Sequence, residues 1–247
     1  MSKVEDITPY RSDVDSRNKG EQVRDMFDNI ARNYDTMNRL MTFGIDNRWR
    51  KKCVRLASSD SPAKVLDLAA GTADLSILLA KKMPCSTITA ADMSEGMLEI
   101  AAKKIAKEGL GQRIEIHVAD AMKLPFDNDS FDCVTIAFGV RNFGNLSTGY
   151  SEIYRVLKPG GRIVVLELSV PRAKTVLPLY KFYTHCIIPL VGKIMTSDRR
   201  AYSYLPDSIA AVPSRNDMTG LMEKAGFRNA AWQSLTFGVA TLYNATK

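Results

Sequence analysis

The chain has 247 residues, 45% of them hydrophobic, with Lys+Arg 34 against Asp+Glu 27, a net charge of +7, four cysteines and two histidines. These are the proportions of an ordinary folded chain, and they exclude disorder, collagen and coiled coil as descriptions of the whole. With only His117 and His185, a multi-histidine metal site is disfavoured and no metal is expected. Cys53, Cys85, Cys133 and Cys186 form no C-x-x-C pair, so all four read as packing residues in a reducing cytoplasm. Acids accompany the basic residues almost everywhere and no aromatic-plus-basic platform is visible, so no nucleic-acid partner is expected.

Residues 1–20 are polar and charged, an expected flexible tail with no apolar core for a signal peptide. From Glu21 to Ala57 the chain reads as helical. Val23, Met26, Phe27, Ile30, Ala31 and Tyr34 recur at helical spacing and form one apolar face. A second amphipathic piece around Trp49–Leu56 carries Arg48, Arg50, Lys51, Lys52 and Arg55, a cluster suited to anionic lipid head groups.

From Lys64 the pattern alternates. Strands are expected at Val65–Ala69, Ser86–Asp92, Ile114–Ala119, Phe131–Phe138 and Arg162–Leu168, with helices at Asp74–Lys82, Glu95–Glu108 and Ser147–Leu157. The last of these helices is stopped by Lys158-Pro-Gly-Gly161. The apolar stretch Val176–Met195 contains Lys181, His185, Lys193, Pro178 and Pro189, so it reads as a buried or interfacial helix, not a membrane span. Ser214-Arg-Asn-Asp217 resembles a capping box opening a helix that closes at Gly226. Two final β-like runs, Ala230–Phe237 and Val239–Ala245, can pair as an antiparallel hairpin.

Repeated strand–helix units with apolar strands imply a doubly wound α/β sheet, covered on both faces and finished by an antiparallel edge. One domain is expected over 21–247, comprising N-terminal helices (21–60), a core (64–170), a helical insertion (172–212), and a closing helix and hairpin (214–247). Its length is of the order of a single large domain.

The turn after the first strand reads Asp67-Leu-Ala-Ala-Gly71-Thr72-Ala-Asp74. A dinucleotide fold wants G-x-G-x-x-G there; a single glycine flanked by acids would repel a pyrophosphate and welcome a cation. S-adenosylmethionine fits, with its sulfonium, its ammonium and no phosphate. An oxidoreductase using a nicotinamide is disfavoured on the same ground. Asp92 ends the second strand, where a carboxylate accepts from ribose hydroxyls, and Met93 and Met97 can pack on an adenine. Asp120, with Ala121, ends the third strand within reach of an adenine amino group. An Asp at a strand end is often only a turn residue or a helix cap. The recurrence of Asp67, Asp92 and Asp120 at three successive strand ends is what marks a site.

Several stretches carry a family resemblance. Asp67-Leu-Ala-Ala-Gly-Thr-Ala-Asp-Leu75 and Ala119-Asp-Ala-Met-Lys-Leu-Pro-Phe126 look like class I methyltransferase motifs. Val23-Arg-Asp-Met-Phe-Asp-Asn-Ile-Ala31, Phe138-Gly-Val-Arg-Asn142, Arg155-Val-Leu-Lys-Pro-Gly-Gly-Arg162 with Leu166-Glu-Leu-Ser169, and Ala201-Tyr-Ser-Tyr-Leu-Pro-Asp-Ser-Ile209 are narrower. Together they resemble the ubiquinone/menaquinone biosynthesis C-methyltransferases from about residue 21 to 247. The resemblance implies a seven-stranded, Rossmann-like methyltransferase sheet, S-adenosylmethionine as cofactor, and C-methylation of a polyprenylated quinol, demethylmenaquinol in the first place. It also implies cofactor contacts at Thr72, Asp92, Asp120 and Ala121. The family's further contact, commonly Ser, is Ala137 here, so a backbone contact survives but a hydroxyl contact does not.

Methyl transfer to carbon is an in-line displacement at a preactivated methyl group, so positioning matters more than an enzymic nucleophile. The acceptor carbon must be electron-rich, which calls for a base or a hydrogen-bonding group at the ring hydroxyl. Arg141 and Asn142 after the fourth strand are the leading candidates. Tyr34, Asp35, Asp198, Tyr202 and Tyr204 belong to segments expected to cap the site, and Glu167 follows the fifth strand. His185 reads more readily as a core histidine than as a base. The insertion, rich in Val, Leu, Ile, Phe and Tyr, suits a prenyl tail. Naphthoquinol versus benzoquinol stays open, as does another phenolic or sterol acceptor. Oligomeric state is not legible, a homodimer included. The expected location is the cytoplasm, with peripheral contact at the inner face of the membrane.

Overall fold

The computed structural model describes residues 17–187 and 200–247, with backbone alone at 185, 187 and 200–203. Two helices lead. Helix α1, Lys19–Thr42, opens on Asn18, whose side chain accepts from the Glu21 amide. Helix α2, Ile45–Ala57, follows after a break at Phe43 and Gly44, both left-handed. The helical run predicted over 21–57 is thus two helices. The start of the predicted tail, residues 1–16, lies outside the described residues.

The alternating core follows as β1 (Lys64–Leu68), α3 (Asp74–Lys82), β2 (Thr87–Asp92), α4 (Glu95–Lys107), β3 (Ile114–Val118), β4 (Phe131–Ala137), α5 (Leu146–Val156) and β5 (Leu157–Leu168). Strand β5 begins five residues earlier than the sequence implied. The segment Lys158-Pro-Gly-Gly161 does stop α5, but it passes straight into the strand, and the pairing with β4 slips between Phe131 and Cys133. After β5 come α6 (Leu177–Phe182), a π turn (Tyr183–Ile187), α7 (Arg200–Ala211), α8 (Arg215–Lys224), β6 (Arg228–Leu235) and β7 (Ala240–Thr246). Of the helix expected over Val176–Met195, the described part is α6, which buries none of its residues, running directly into the π turn; residues 188–199 lie outside the described part. The capping box is formed, with Ser214 accepting from the Asp217 amide.

The seven strands stand in the order β3-β2-β1-β4-β5-β7-β6. All neighbours are parallel except at β7, which runs against both β5 and β6. The reversed strand therefore stands one place in from the edge. Residues alternate between two apolar layers. Leu66, Leu68, Val134, Ile136, Ile163 and Val165 face α5 and α8, whereas Val65, Cys133, Val164 and Leu166 face α2, α3 and α4. Cys53 and Cys133 are packing residues as expected, but Cys85 and Cys186 are exposed. Among the described residues, no helix is long and apolar enough to cross a membrane.

Candidate functional site

Strand order reverses between β1 and β4, and the crevice beyond their carboxyl ends is where an open α/β sheet binds ligands. A cavity of about 600 Å³ lies there, lined by Gly71 from β1, Asp92 and Met93 from β2, Asp120 and Ala121 from β3, and Ala137 from β4. The β1–α3 turn reaches it by placing Ala69, Gly71 and Ala73 in the left-handed region. At Gly139, just beyond β4, a Cβ would stand 2.5 Å from the Ala69 Cβ, so the two chain turns approach as closely as a glycine permits.

The Asp92 carboxylate accepts from the Gly71 amide at 2.8 Å and the Ser94 amide at 2.9 Å. Burial raises its pKa, and these backbone donors oppose the rise. The one glycine amide that could have met a phosphate is thereby committed to a carboxylate. Asp120 accepts from the Met122 amide at 2.9 Å. The strand ends give this cavity two carboxylates, Asp92 and Asp120, while Lys19, Glu21 and Arg24 line it from α1; the strand-end pair suits hydroxyl and amino donors. S-adenosylmethionine presents both.

Two expected cofactor residues stand back from this cavity. Asp67 is 1% exposed, and its carboxylate accepts from Ser76 Oγ at 2.5 Å and Thr135 Oγ1 at 2.9 Å. Burial pushes its pKa up to about 6 against those hydrogen bonds. It ties β1 to α3 and β4 and does not line the cavity. Thr72 is also buried, donating to Asp35 Oδ1 at 2.6 Å and accepting from Lys104 Nζ at 3.1 Å.

A second cavity, about 440 Å³, is walled mainly by apolar side chains of α1, α2, α6 and α7, and Arg141 lines it. Tyr34 and Phe138 line both cavities, so the two meet there. Arg141 sits in a 3-10 turn, Val140–Asn142, and is 5% exposed. Its Nη1 donates to Glu167 Oε1 at 2.7 Å and to the Phe138 carbonyl, and its backbone amide donates to Glu167 Oε2 at 3.2 Å. Its Nε is buried without a hydrogen-bond partner among the described residues. Burial is the largest influence and works against the guanidinium charge, but Glu167, Tyr34 and Tyr204 together outweigh it and the pKa rises. Asn142 lines the first cavity, and its Oδ1 accepts from the Tyr204 hydroxyl at 2.7 Å. Burial lifts the Tyr204 hydroxyl well above the ordinary range and Tyr180, beside Arg141, to about 12.

The structure therefore brings Tyr34, Arg141, Asn142, Glu167 and Tyr204 together around the junction. Asp35 is turned away, to Thr72 and Lys104. Asp198 and the side chains of Tyr202 and His185 lie outside the described residues. Of the basic cluster, Arg48, Lys51, Lys52 and Arg55 are exposed. Arg50 is not on that face: it is buried, paired with Asp46, and lies 5.2 Å from the centroid of Phe138.

Three residues of the surroundings were not singled out from the sequence. Lys104 on α4 joins Asp35 on α1 at 2.7 Å to Thr72 and Asp74. Asp28 on α1 accepts from Ser94 Oγ at 2.6 Å and the Gly96 amide at 2.9 Å, completing the cap of α4. Phe138, at φ 61, carries the chain from β4 between the cavities. Asp28 lies inside a quoted motif, so its presence was visible and its role was not. Lys104 gave no signal.

Comparison with known proteins gives consistent findings. The family model for the ubiE/COQ5 methyltransferase family matches residues 15–247. A demethylmenaquinone methyltransferase of Bacteroides fragilis is 41% identical over 98% of both chains. A ubiquinone/menaquinone biosynthesis C-methyltransferase of Geobacter sulfurreducens is 43% identical over 98% of this chain and 93% of its own. Among solved structures, human N-acetylserotonin methyltransferase in complex with SAM superposes with a TM-score of 0.61 over 88% of this chain and 57% of its own. At 18% identity, that likeness speaks for the fold.

Proposed function

Because the chain belongs to the ubiE/COQ5 methyltransferase family, we propose that it methylates a ring carbon of a polyprenylated quinol, demethylmenaquinol, to give menaquinol. The observation that carries the reading is the pair of cavities meeting at Tyr34 and Phe138, one with the strand-end carboxylates Asp92 and Asp120 in its lining and the other largely apolar with Arg141 in its wall. S-adenosylmethionine, the methyl donor, supplies a methyl group already activated by its sulfonium. Asp92 and Asp120 are placed to hold its hydroxyl and amino groups, with Met93, Ala121 and Ala137 along its path. Asp67 and Thr72 support that site from behind by fixing the β1–α3 turn.

The second cavity takes the acceptor. Its apolar walls suit a prenyl tail, and of its charged lining residues Arg50 is paired with Asp46 while Arg141 suits the ring oxygen. A carbon nucleophile forms as the quinol hydroxyl gives up its proton and its charge spreads into the ring. The Arg141 guanidinium, held by Glu167 and raised in pKa, cannot serve as the base, but it stabilises the developing phenolate. Tyr34 stands where the two ligands must meet, and Asn142, anchored by Tyr204, borders the donor side. Incubating the purified protein with labelled S-adenosylmethionine and reduced demethylmenaquinone, prenylated benzoquinols that lack the ring methyl, and simple phenols tests this. Label in the naphthoquinol is the expected result, and no label in any quinol refutes the reading. We further place the protein at the membrane surface where such a substrate resides, with Arg48, Lys51, Lys52 and Arg55 exposed for anionic head groups.

A further inference from the structure

The exposed large apolar side chains are not scattered. Leu40, Phe43, Val170, Leu179, Phe182 and Phe237 either line the apolar cavity or lie within two residues of a lining residue; only Val118 and Trp232 of this class lie elsewhere among the described residues. The two most exposed, Phe43 at 79% and Phe237 at 81%, have left-handed backbones, with φ of 51 and 56. That conformation favours Gly or Asn and disfavours a bulky side chain. The Phe43 ring meets Tyr183, with centroids 6.1 Å apart, yet each Phe stays largely in solvent on a backbone that disfavours it, which locates its purpose outside the fold. The two turns are pinned beside one another's elements, since the Trp49 indole on α2 donates to Thr236 Oγ1 at 2.8 Å.

The charge around these side chains is mostly positive, with Asp207 on α7 the exposed acid near the lining residues Leu205 and Ile209. The described stretch from Val170 to Ile187 carries Arg172, Lys174 and Lys181 and no Asp or Glu. Arg39 and Arg48 flank the Phe43 turn, where the nearby Asp46 is buried against Arg50. We propose that the rim of the apolar cavity is a membrane-docking face, in which Phe43 and Phe237 insert among lipid tails while the surrounding cations meet anionic head groups, so that the cavity opens into the bilayer. A second copy of the chain is a poorer occupant. A two-fold interface would set the same cations against each other, whereas an anionic bilayer neutralises them. The proposal rests on the quinol reading only for what passes through the opening; the docking itself needs no quinone.

The test uses vesicles free of quinone and cofactor, one set of phosphatidylcholine alone and one containing phosphatidylglycerol. The wild-type protein is expected to float with the anionic vesicles and to be partly released by salt. F43N and F237N place a residue suited to the left-handed backbone, so neither should lower the melting temperature. Each should weaken flotation by about tenfold or more, the scale of one buried aromatic side chain. F237N, whose side chain is not part of the cavity wall, should still methylate a short-chain quinol dispersed in detergent. Wild-type protein that ignores both vesicle types overturns the proposal, as do Phe variants that float like wild type. A dimer lost in F43N and F237N with flotation unchanged would assign the face to a second copy instead. Flotation without methylation of any quinol would sink the activity reading and leave the docking face standing.

Discussion

Removing either member of the Arg141–Glu167 pair should have unequal effects, and the inequality follows from what each leaves behind. Glu167→Ala strands a guanidinium that is 5% exposed and stays charged, with the Phe138 carbonyl as its remaining acceptor. Breaking a buried pair in this way costs about 3–5 kcal/mol. Arg141→Ala strands a carboxylate that is 0% exposed but keeps two backbone donors, Leu168 N–H at 2.8 Å and the residue-141 amide at 3.2 Å. The loss there should be smaller, about 2–3 kcal/mol. The double variant leaves neither charge buried and should lose less than the sum, with a coupling of about 1–3 kcal/mol. Urea unfolding of the three variants measures all of this. In turnover, Arg141→Ala should lower kcat by about 10²–10³, the scale of one donor to a developing oxyanion. Its affinity for S-adenosylmethionine should stay within about twofold, because Arg141 lines the acceptor cavity and not the donor cavity. Near-normal turnover in Arg141→Ala removes that residue from the acceptor site, and strictly additive unfolding energies refute the pairing.

Asp67, pushed up to about 6 by burial, stays protonated in the fold between about pH 4 and pH 6, where the unfolded chain ionises it. A folded pKa raised above the unfolded one gives stability that is complete below about pH 4 and lost as pH rises through about 6, roughly 2–3 kcal/mol in all. Asp67→Asn should flatten that part of the pH–stability curve; an unchanged curve refutes the assignment. Asp92, also raised by burial, must be ionised to accept from hydroxyl donors, so affinity for S-adenosylmethionine should weaken as acid is added. Asp92→Asn should remove that pH dependence in calorimetric titration. Gly139→Ala sets a methyl group against Ala69 and should destabilise the fold by about 1–3 kcal/mol and weaken donor binding, both read by melting with and without ligand. Lys104→Met cuts the tie from α4 to Asp35, Thr72 and Asp74, and should raise amide exchange in α1 before it lowers the melting temperature.

The parallel core was legible because β1 to β4 are short apolar runs closed by Gly or Asp, and the helices between them keep their own period, α4 and α5 opening on side-chain caps at Ser94 and Asn145. The donor site was legible for the same reason, since topology sends the carboxyl ends of successive strands to one crevice. What a strand-end Asp does there was not. Asp67 and Asp92 both stand at the carboxyl ends of strands, yet the first meets two hydroxyls and is sealed in, while the second takes amides and borders the cavity. Side-chain partners 9 and 68 residues away made that difference. Arg50 failed to join its basic neighbours for a similar reason: it lies on the helix face that packs against Phe138, which residue counting cannot see. The break in the N-terminal run was hidden because Phe43, an unlikely left-handed residue, carries it together with Gly44.

Helix α1 connects what would otherwise be two separate binding problems. At 24 residues it spans about 36 Å, enough to pass over both cavities. Asn18 and Phe27 border the donor side, Tyr34 borders both, and Asn38 and Met41 border the acceptor side. It is tied down between these points, by Asp28 to the start of α4 and by Asp35 to Lys104. At its start, Lys19 Nζ bonds the Phe143 carbonyl at 2.8 Å, next to the turn that carries Arg141 and Asn142. The same helix thus roofs the donor, supplies the tyrosine at the junction and braces the acceptor-side arginine. Because α1 residues line both cavities and Tyr34 lines each, the seating of this one helix sets the walls of donor and acceptor sites together. A reaction that depends on bringing one methyl group to one ring carbon gains from that coupling, because an open site cannot hold its groups in the transfer geometry.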